Sequence, residues 1–157
     1  MKVELVPIEN LRQAYQVRKI RNECRLFMTN VSSELSLCEQ FFWYYTIYKK
    51  NNKRNNMYCY LLRVGNKNCG FGFVRKSSGK YWITGGLLSC FRGKGYGKIL
   101  FTGLINSLKQ GSIWLEVLES NTVALTLYKS LGFKKTKTII RNKKKIYVMN
   151  LIKNEEI

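Results

Sequence analysis

Leu87-Leu88-Ser89-Cys90-Phe91-Arg92-Gly93-Lys94-Gly95-Tyr96-Gly97-Lys98 is the stretch that decides how this 157-residue chain is read. An apolar strand end runs into a turn with glycines at 93, 95 and 97, and the turn opens a helix reaching to about Gln110. The first N–H groups of a helix have no intrahelical partner. Glycines let a ligand approach those amides, the helix dipole favours negative charge, and Arg92, Lys94 and Lys98 add to it. A pyrophosphate is the natural occupant. Two familiar phosphate motifs do not fit. A P-loop needs GxxxxGK followed by Ser or Thr, whereas Gly93 stands too close to Gly97-Lys98 and Ile99 follows; a dinucleotide fingerprint needs GxGxxG, and here the spacing is GxGxG.

Arg92-x-x-Gly95-x-Gly97 after an apolar strand resembles the acyl-CoA-binding loop of the GNAT superfamily of N-acetyltransferases. The resemblance implies that the loop, Arg92, Gly93, Lys94, Gly95, Tyr96, Gly97 and Lys98, holds the pyrophosphate of acetyl-CoA. It also implies that Leu87 and Leu88 offer backbone groups to the pantetheine arm. A second block lies downstream: Trp114-Leu115-Glu116-Val117-Leu118-Glu119-Ser120-Asn121-Thr122-Val123-Ala124, then Tyr128 and Leu131-Gly132-Phe133. It is similar to the strand–Asn–Ala–Leu-Tyr–Gly-Phe signature of the same superfamily, in the same order. The strong resemblance covers about 85–135.

Acetyl transfer to an amine needs a neutral amine, a stabilised oxyanion and a protonated leaving thiolate. The resemblance gives Tyr128 the acid's role, with core packing as the plain alternative. Asn121 matches a contact to the cofactor arm, although a helix N-cap also explains it. Glu116 stands alone in an apolar strand, where burial would raise its pKa towards a base's useful range. Its distance from Tyr128 matches the base-to-acid spacing of bacterial ribosomal-protein N-terminal acetyltransferases, which Leu-Glu-Val, Ser-Asn and Leu-Tyr also resemble.

The acceptor is read from the flanks. Ile140 to Tyr147 is short and basic with one Tyr, so a peptide-gripping loop is not evident. Arg18, Arg21, Asn22, Glu23, Arg25 and Met28-Thr29 loosely resemble the Arg-Asn segment of acetyltransferases acting on nucleotide-linked amino sugars. Arg21 suits an anionic group and Glu23 an ammonium. A small anionic amine is therefore the leading expectation for the acceptor, and a protein N-terminus or lysine the alternative. A nucleic-acid-binding module is the weaker third reading. It draws on the +19 charge and on Phe41-Phe42-Trp43-Tyr44-Tyr45, a run that occupies every helical face and so reads as a buried helix.

Composition narrows the chemistry. There are 28 Lys and Arg against 9 acids, all of them Glu, and no His. A Ser-His-Asp triad, a His-ligated metal and an imidazole base are excluded, and no metal is expected. The five Cys lack a CxxC pair and read as buried, reduced thiols. No apolar run approaches the roughly 20 residues of a membrane span, and MKVELVPIEN, with acids and no long apolar core, is not expected to be a signal peptide. A cytoplasmic protein, monomer or homodimer, without a membrane partner is the expectation.

Outside the two motifs, a strand at Val3–Ile8, a helix over 9–28 and a helix capped by Ser36 and Glu39 precede a basic loop over 49–56. Three strands follow: Met57–Val64, Cys69–Arg75 and Tyr81–Ser89. A strand at Ile113–Leu118, a helix from Asn121 to Gly132 and a hairpin over 135–152 complete the chain. The order implies one domain over 1–157, with the acyl-CoA-binding core at about 81–135. Its class is α/β, a mixed and mostly antiparallel sheet with helices on both faces.

Overall fold

Alternating apolar residues mark the inner strands of a seven-stranded sheet, and the glycine-interrupted ones let helices lie close on either side. The computed structural model describes residues 2–30 and 33–154. In chain order these are β1 (Val3–Pro7), α1 (Leu11–Cys24), a 3₁₀ turn (Arg25–Phe27), α2 (Leu37–Phe42), a π-helical turn (Trp43–Tyr48) and α3 (Lys49–Lys53). Then come β2 (Met57–Val64), β3 (Lys67–Ser77), β4 (Lys80–Leu87), a 3₁₀ turn (Ser89–Phe91), α4 (Tyr96–Asn106), β5 (Gly111–Leu118), α5 (Thr122–Ser130), β6 (Lys134–Arg141) and β7 (Lys144–Lys153). The strands form one sheet in the order β1-β2-β3-β4-β5-β7-β6. Every neighbouring pair is antiparallel except β4 with β5.

The two faces carry separate cores. On one, α4 and α5 bury Leu100, Phe101, Leu104 and Tyr128 against Leu62, Val74, Ile113, Leu115 and Val117. On the other, α1 buries Ala14, Val17, Ile20 and Cys24 with Tyr44, Tyr48, Cys59, Leu61 and Phe71. The spacing of the α1 set is that of one helical stripe. Gly85 and Gly86 show how tightly the layers approach. A Cβ on Gly85 would stand 3.1 Å from Leu100, and one on Gly86 2.7 Å from Cys24 Sγ. Among the described residues no helix is long and apolar enough to cross a membrane.

Three expectations are corrected. The basic segment after Tyr48 is not all loop: Lys49–Lys53 continues the helix before it. The aromatic run is only partly buried. Tyr44 and Tyr48 are inside, anchored by hydroxyl donation to the Glu9 and Ile8 carbonyls, whereas Phe41, Phe42 and Tyr45 are exposed. The thiols are likewise divided, with Cys24, Cys59 and Cys69 buried but Cys38 and Cys90 exposed.

Candidate active site

The parallel ladder between β4 and β5 is short. Lys80, Tyr81 and Trp82 pair with Ser112, Ile113 and Trp114, and there the pairing stops. Beyond it β4 stays with β3 as far as Leu87, and β5 stays with β7 as far as Leu118. The two strands therefore diverge, leaving facing edges with no ladder between them. An extended molecule entering this gap meets the unpaired backbone groups that an added strand would.

At the mouth of the gap the chain turns through Ser89–Phe91 into the glycine loop. Gly93 and Gly95 take the left-handed conformation, with φ of 71° and 82°, which glycine alone adopts without cost. A Cβ at either position would meet nothing within 4 Å, so the loop faces open space. Among the described residues the N–H groups of Gly93 through Gly97 have no acceptor; the first loop amide that does is Lys98, bonded to the Gly95 carbonyl at 3.1 Å. Successive unpartnered amides at a helix start are a ready anion site. By this measure the loop fits a pyrophosphate, and coenzyme A carries one.

The flanking side chains are used differently from expectation. Arg92 turns inward: its Nε donates to the Leu87 carbonyl at 2.9 Å, and its guanidinium lies 4.9 Å from the Phe27 ring centroid. Lys94 Nζ donates to the Cys90 carbonyl at 2.9 Å. Lys98 stays exposed. The Leu87 carbonyl also accepts the Cys24 thiol, the Leu88 N–H donates to Cys69, and the Leu88 carbonyl accepts Phe91 N–H. These backbone groups, expected to serve the pantetheine arm, are spent within the chain. The open edge of β4 lies earlier, over 83–86.

Glu116 and Tyr128 stand on opposite sides of β5. Tyr128 belongs to the layer of Ile113, Leu115 and Val117, edge-on to Phe101 at 4.9 Å and to Phe133 at 6.1 Å. Its hydroxyl has no hydrogen-bond partner among the described residues, and burial pushes its pKa well above the ordinary tyrosine value. Glu116, one residue out of phase, points to the other face. Arg141 grips it with two bonds, Nη1 to Oε2 at 2.7 Å and Nη2 to Oε1 at 3.1 Å, and Thr29 Oγ1 donates to Oε2 at 3.1 Å. Burial raises the carboxyl's pKa, as expected from its apolar strand, but Arg141, Thr29 and Lys137 outweigh burial and leave it below the ordinary value. The expected upward shift is thus reversed. Asn121 Oδ1 accepts the Ala124 N–H at 3.2 Å, the plain N-cap of α5.

The polar cluster at the end of α1 is also committed internally. Glu23 Oε1 accepts the Ser89 N–H at 2.6 Å, which pulls its pKa down and ties α1 to the start of the glycine loop. Arg18 and Asn22 both donate to the Leu35 carbonyl, at 2.6 and 3.0 Å, and Arg25 pairs with Glu34. Arg21, half-buried and without a hydrogen bond among the described residues, is the member left over; burial lowers its pKa. That Arg141 and Thr29 hold Glu116, with Asn30 accepting from Arg141, was not foreseen in the sequence, where Thr29 reads as part of the acceptor cluster. They lie 25 and more than 80 residues from Glu116, and no local pattern joins them.

Comparison with known proteins bears on the family and the fold. The family model described as acetyltransferase (GNAT) family matches residues 15–133. A ribosomal protein bS18-alanine N-acetyltransferase of Haemophilus ducreyi is 50% identical over 46 residues, 27% of this chain and 32% of that protein. The match thus spans about a third of that relative's length. A putative acetyltransferase of Salmonella typhimurium, solved with acetyl-CoA, superposes with a TM-score of 0.76 at 14% identity, covering 100% of this chain and 96% of the other. A ribosomal-protein-alanine N-acetyltransferase of Brucella melitensis gives 0.74 at 15%, covering 97% and 99%. The two structural likenesses speak for the fold, and the family match, well over half of the sequence, speaks for kinship: the chain belongs to the acetyltransferase (GNAT) family of acetyl-CoA-dependent N-acetyltransferases.

Proposed function

We propose that the chain transfers the acetyl group of acetyl-CoA to the α-amine of a protein N-terminus. The divergence of β4 from β5 beyond Trp82 and Trp114 carries the reading. Bound acetyl-CoA supplies the acetyl thioester. The amides of Gly93 to Gly97 and the start of α4 bind its pyrophosphate, Lys98 adds charge, and the 83–86 edge of β4 orients the arm in the gap.

Glu116 is the proton acceptor on one side of β5. Its Oε1 carries one protein hydrogen bond and so has acceptor capacity left to take the proton of the incoming ammonium, directly or through water. Tyr128, held protonated by burial, gives its hydroxyl proton to the departing sulfur on the other side.

Two observations favour a protein α-amine over the nucleotide-linked sugar expected from the sequence. In the cluster at the end of α1 that would have bound the sugar's phosphates, Arg18, Glu23 and Arg25 are occupied with Leu35, Ser89 and Glu34, which leaves Arg21 as its one uncommitted cation among the described residues. The similarity to a bS18-alanine N-acetyltransferase points the same way.

Initial rates of CoA release test the acceptor. The panel is peptides with a free α-amine, the same peptides α-blocked but bearing lysine, and nucleotide-linked amino sugars. Turnover on the free α-amine peptides is expected. Turnover confined to the sugars would overturn the acceptor and return Arg21 to the role expected of it.

A further inference from the structure

The Glu116 carboxylate is more fully held than a direct base needs to be. Arg141 reaches both of its oxygens, Thr29 takes a second position on Oε2, and Arg141 also donates to Asn30. One guanidinium thus ties the end of β6 both to β5 and to the segment after Phe27. The charged groups facing the carboxylate are Arg141 and Lys137, both from β6, while β7 sets Val148 directly opposite it. Such a fork fixes orientation as well as charge. Only 16% of the Glu116 side chain is exposed, against 36% of Arg141. The carboxylate depends on the fork, whereas Arg141 has water to fall back on.

We propose that Arg141 is a specificity-determining positioning residue: by forking Glu116 it holds a fixed, ionised hydrogen-bond acceptor that serves α-amines and discriminates against lysine side chains. The inference rests on the reading of Glu116 as the proton acceptor. A carboxylate held by a guanidinium is a weak base. An α-amine, with a pKa of about 7.7–8.0, is already about half neutral near pH 8, and its remaining ammonium fraction gives up the proton to a weak acceptor. A lysine amine, at about 10.4, must give up its proton to a stronger base. Without the guanidinium, burial acts on Glu116 with less opposition and its basicity rises.

The test compares wild type with Arg141→Gln and Arg141→Lys, each checked for folding by circular dichroism. Two readouts are taken: the titration midpoint of the Glu116 carboxyl by ¹³C NMR, and the ratio of kcat/KM for α-amine over lysine acceptors in otherwise identical peptides. Arg141→Gln is expected to raise the midpoint and lower the ratio about tenfold, the change in rate for about 1.4 kcal/mol. Arg141→Lys, which keeps the charge but loses the fork, should fall between. An unmoved midpoint, or a raised midpoint with an unchanged ratio, overturns the proposal. Glu116→Gln retaining full rate on α-amine peptides overturns instead the assignment of the base on which it rests.

Discussion

Trp82 and Trp114 are the last residues at which β4 and β5 run side by side, their rings 5.9 Å apart. Beyond this pair the sheet opens, and the groups assigned to catalysis sit around the opening. The glycine loop lies at the end of β4, Tyr128 on the α4–α5 face, and Glu116 on the α1 face. A strand that is paired at its start and free at its end is a means of admitting a substrate into the middle of a sheet.

Tyr128→Phe separates catalysis from packing. The ring keeps its contacts with Phe101 and Phe133, and the lost hydroxyl had no partner among the described residues. The melting temperature and acetyl-CoA affinity should stay near wild type while kcat falls by on the order of a hundredfold or more, the usual scale for a lost general acid. Stopped-flow rates with calorimetric binding check this. An unchanged kcat would remove Tyr128 from the acid's role.

Gly95→Val should remove cofactor binding through the backbone alone. The new side chain has open space, but a β-branched residue is strained at a φ of 82°, a cost of about 1–3 kcal/mol that the loop would relieve by turning its amides. Isothermal titration with acetyl-CoA should show no heat in a variant that is folded by circular dichroism. Wild-type binding would contradict the placement of the pyrophosphate.

The Arg141–Glu116 pair makes a signed prediction about pH. The folded pKa of Glu116 lies below its ordinary value, so its contribution to stability is fully present above about pH 4.3 and is lost as pH falls through the folded value. The stability difference between wild type and Glu116→Gln, from urea unfolding, should be level at neutral and mildly acidic pH and shrink only below about pH 4. A difference already changing between about pH 5 and 7 would mean a carboxyl raised into that range.

Gly86→Val tests the approach of α1 to the sheet. A Cβ there would stand 2.7 Å from Cys24 Sγ and 3.2 Å from the Phe71 ring, so overpacking should cost about 1–3 kcal/mol in chemical denaturation. Because Cys24 also donates to the Leu87 carbonyl, acetyl-CoA binding should weaken with it. Wild-type stability would show that α1 can yield at this point.

Much of this was legible in the sequence because it is local. The glycine loop, the Ser36–Glu39 capping box, the Asn121 cap and the final hairpin each announce themselves within a few residues. What was not legible depends on distant strands meeting. The reversal of Glu116's pKa needs Arg141, and the two meet only because β7 lies between β5 and β6. The cluster at the end of α1 reads as an anion site in sequence and becomes a clamp once Leu35 and Ser89 come within reach. The aromatic run misled for a different reason: a π-helical turn shifts its faces, and a buried-helix pattern becomes a half-exposed one.

The central claim, that the gap between β4 and β5 takes acetyl-CoA, is tested most directly by titrating acetyl-CoA into ¹⁵N-labelled protein and following the amide resonances. The largest shifts should fall on 83–86 and on Gly93 to Gly97, with smaller ones on β5 beyond Trp114. Shifts confined to the cationic depression of Arg12, Arg63 and Lys67, or no shifts at all, would contradict it.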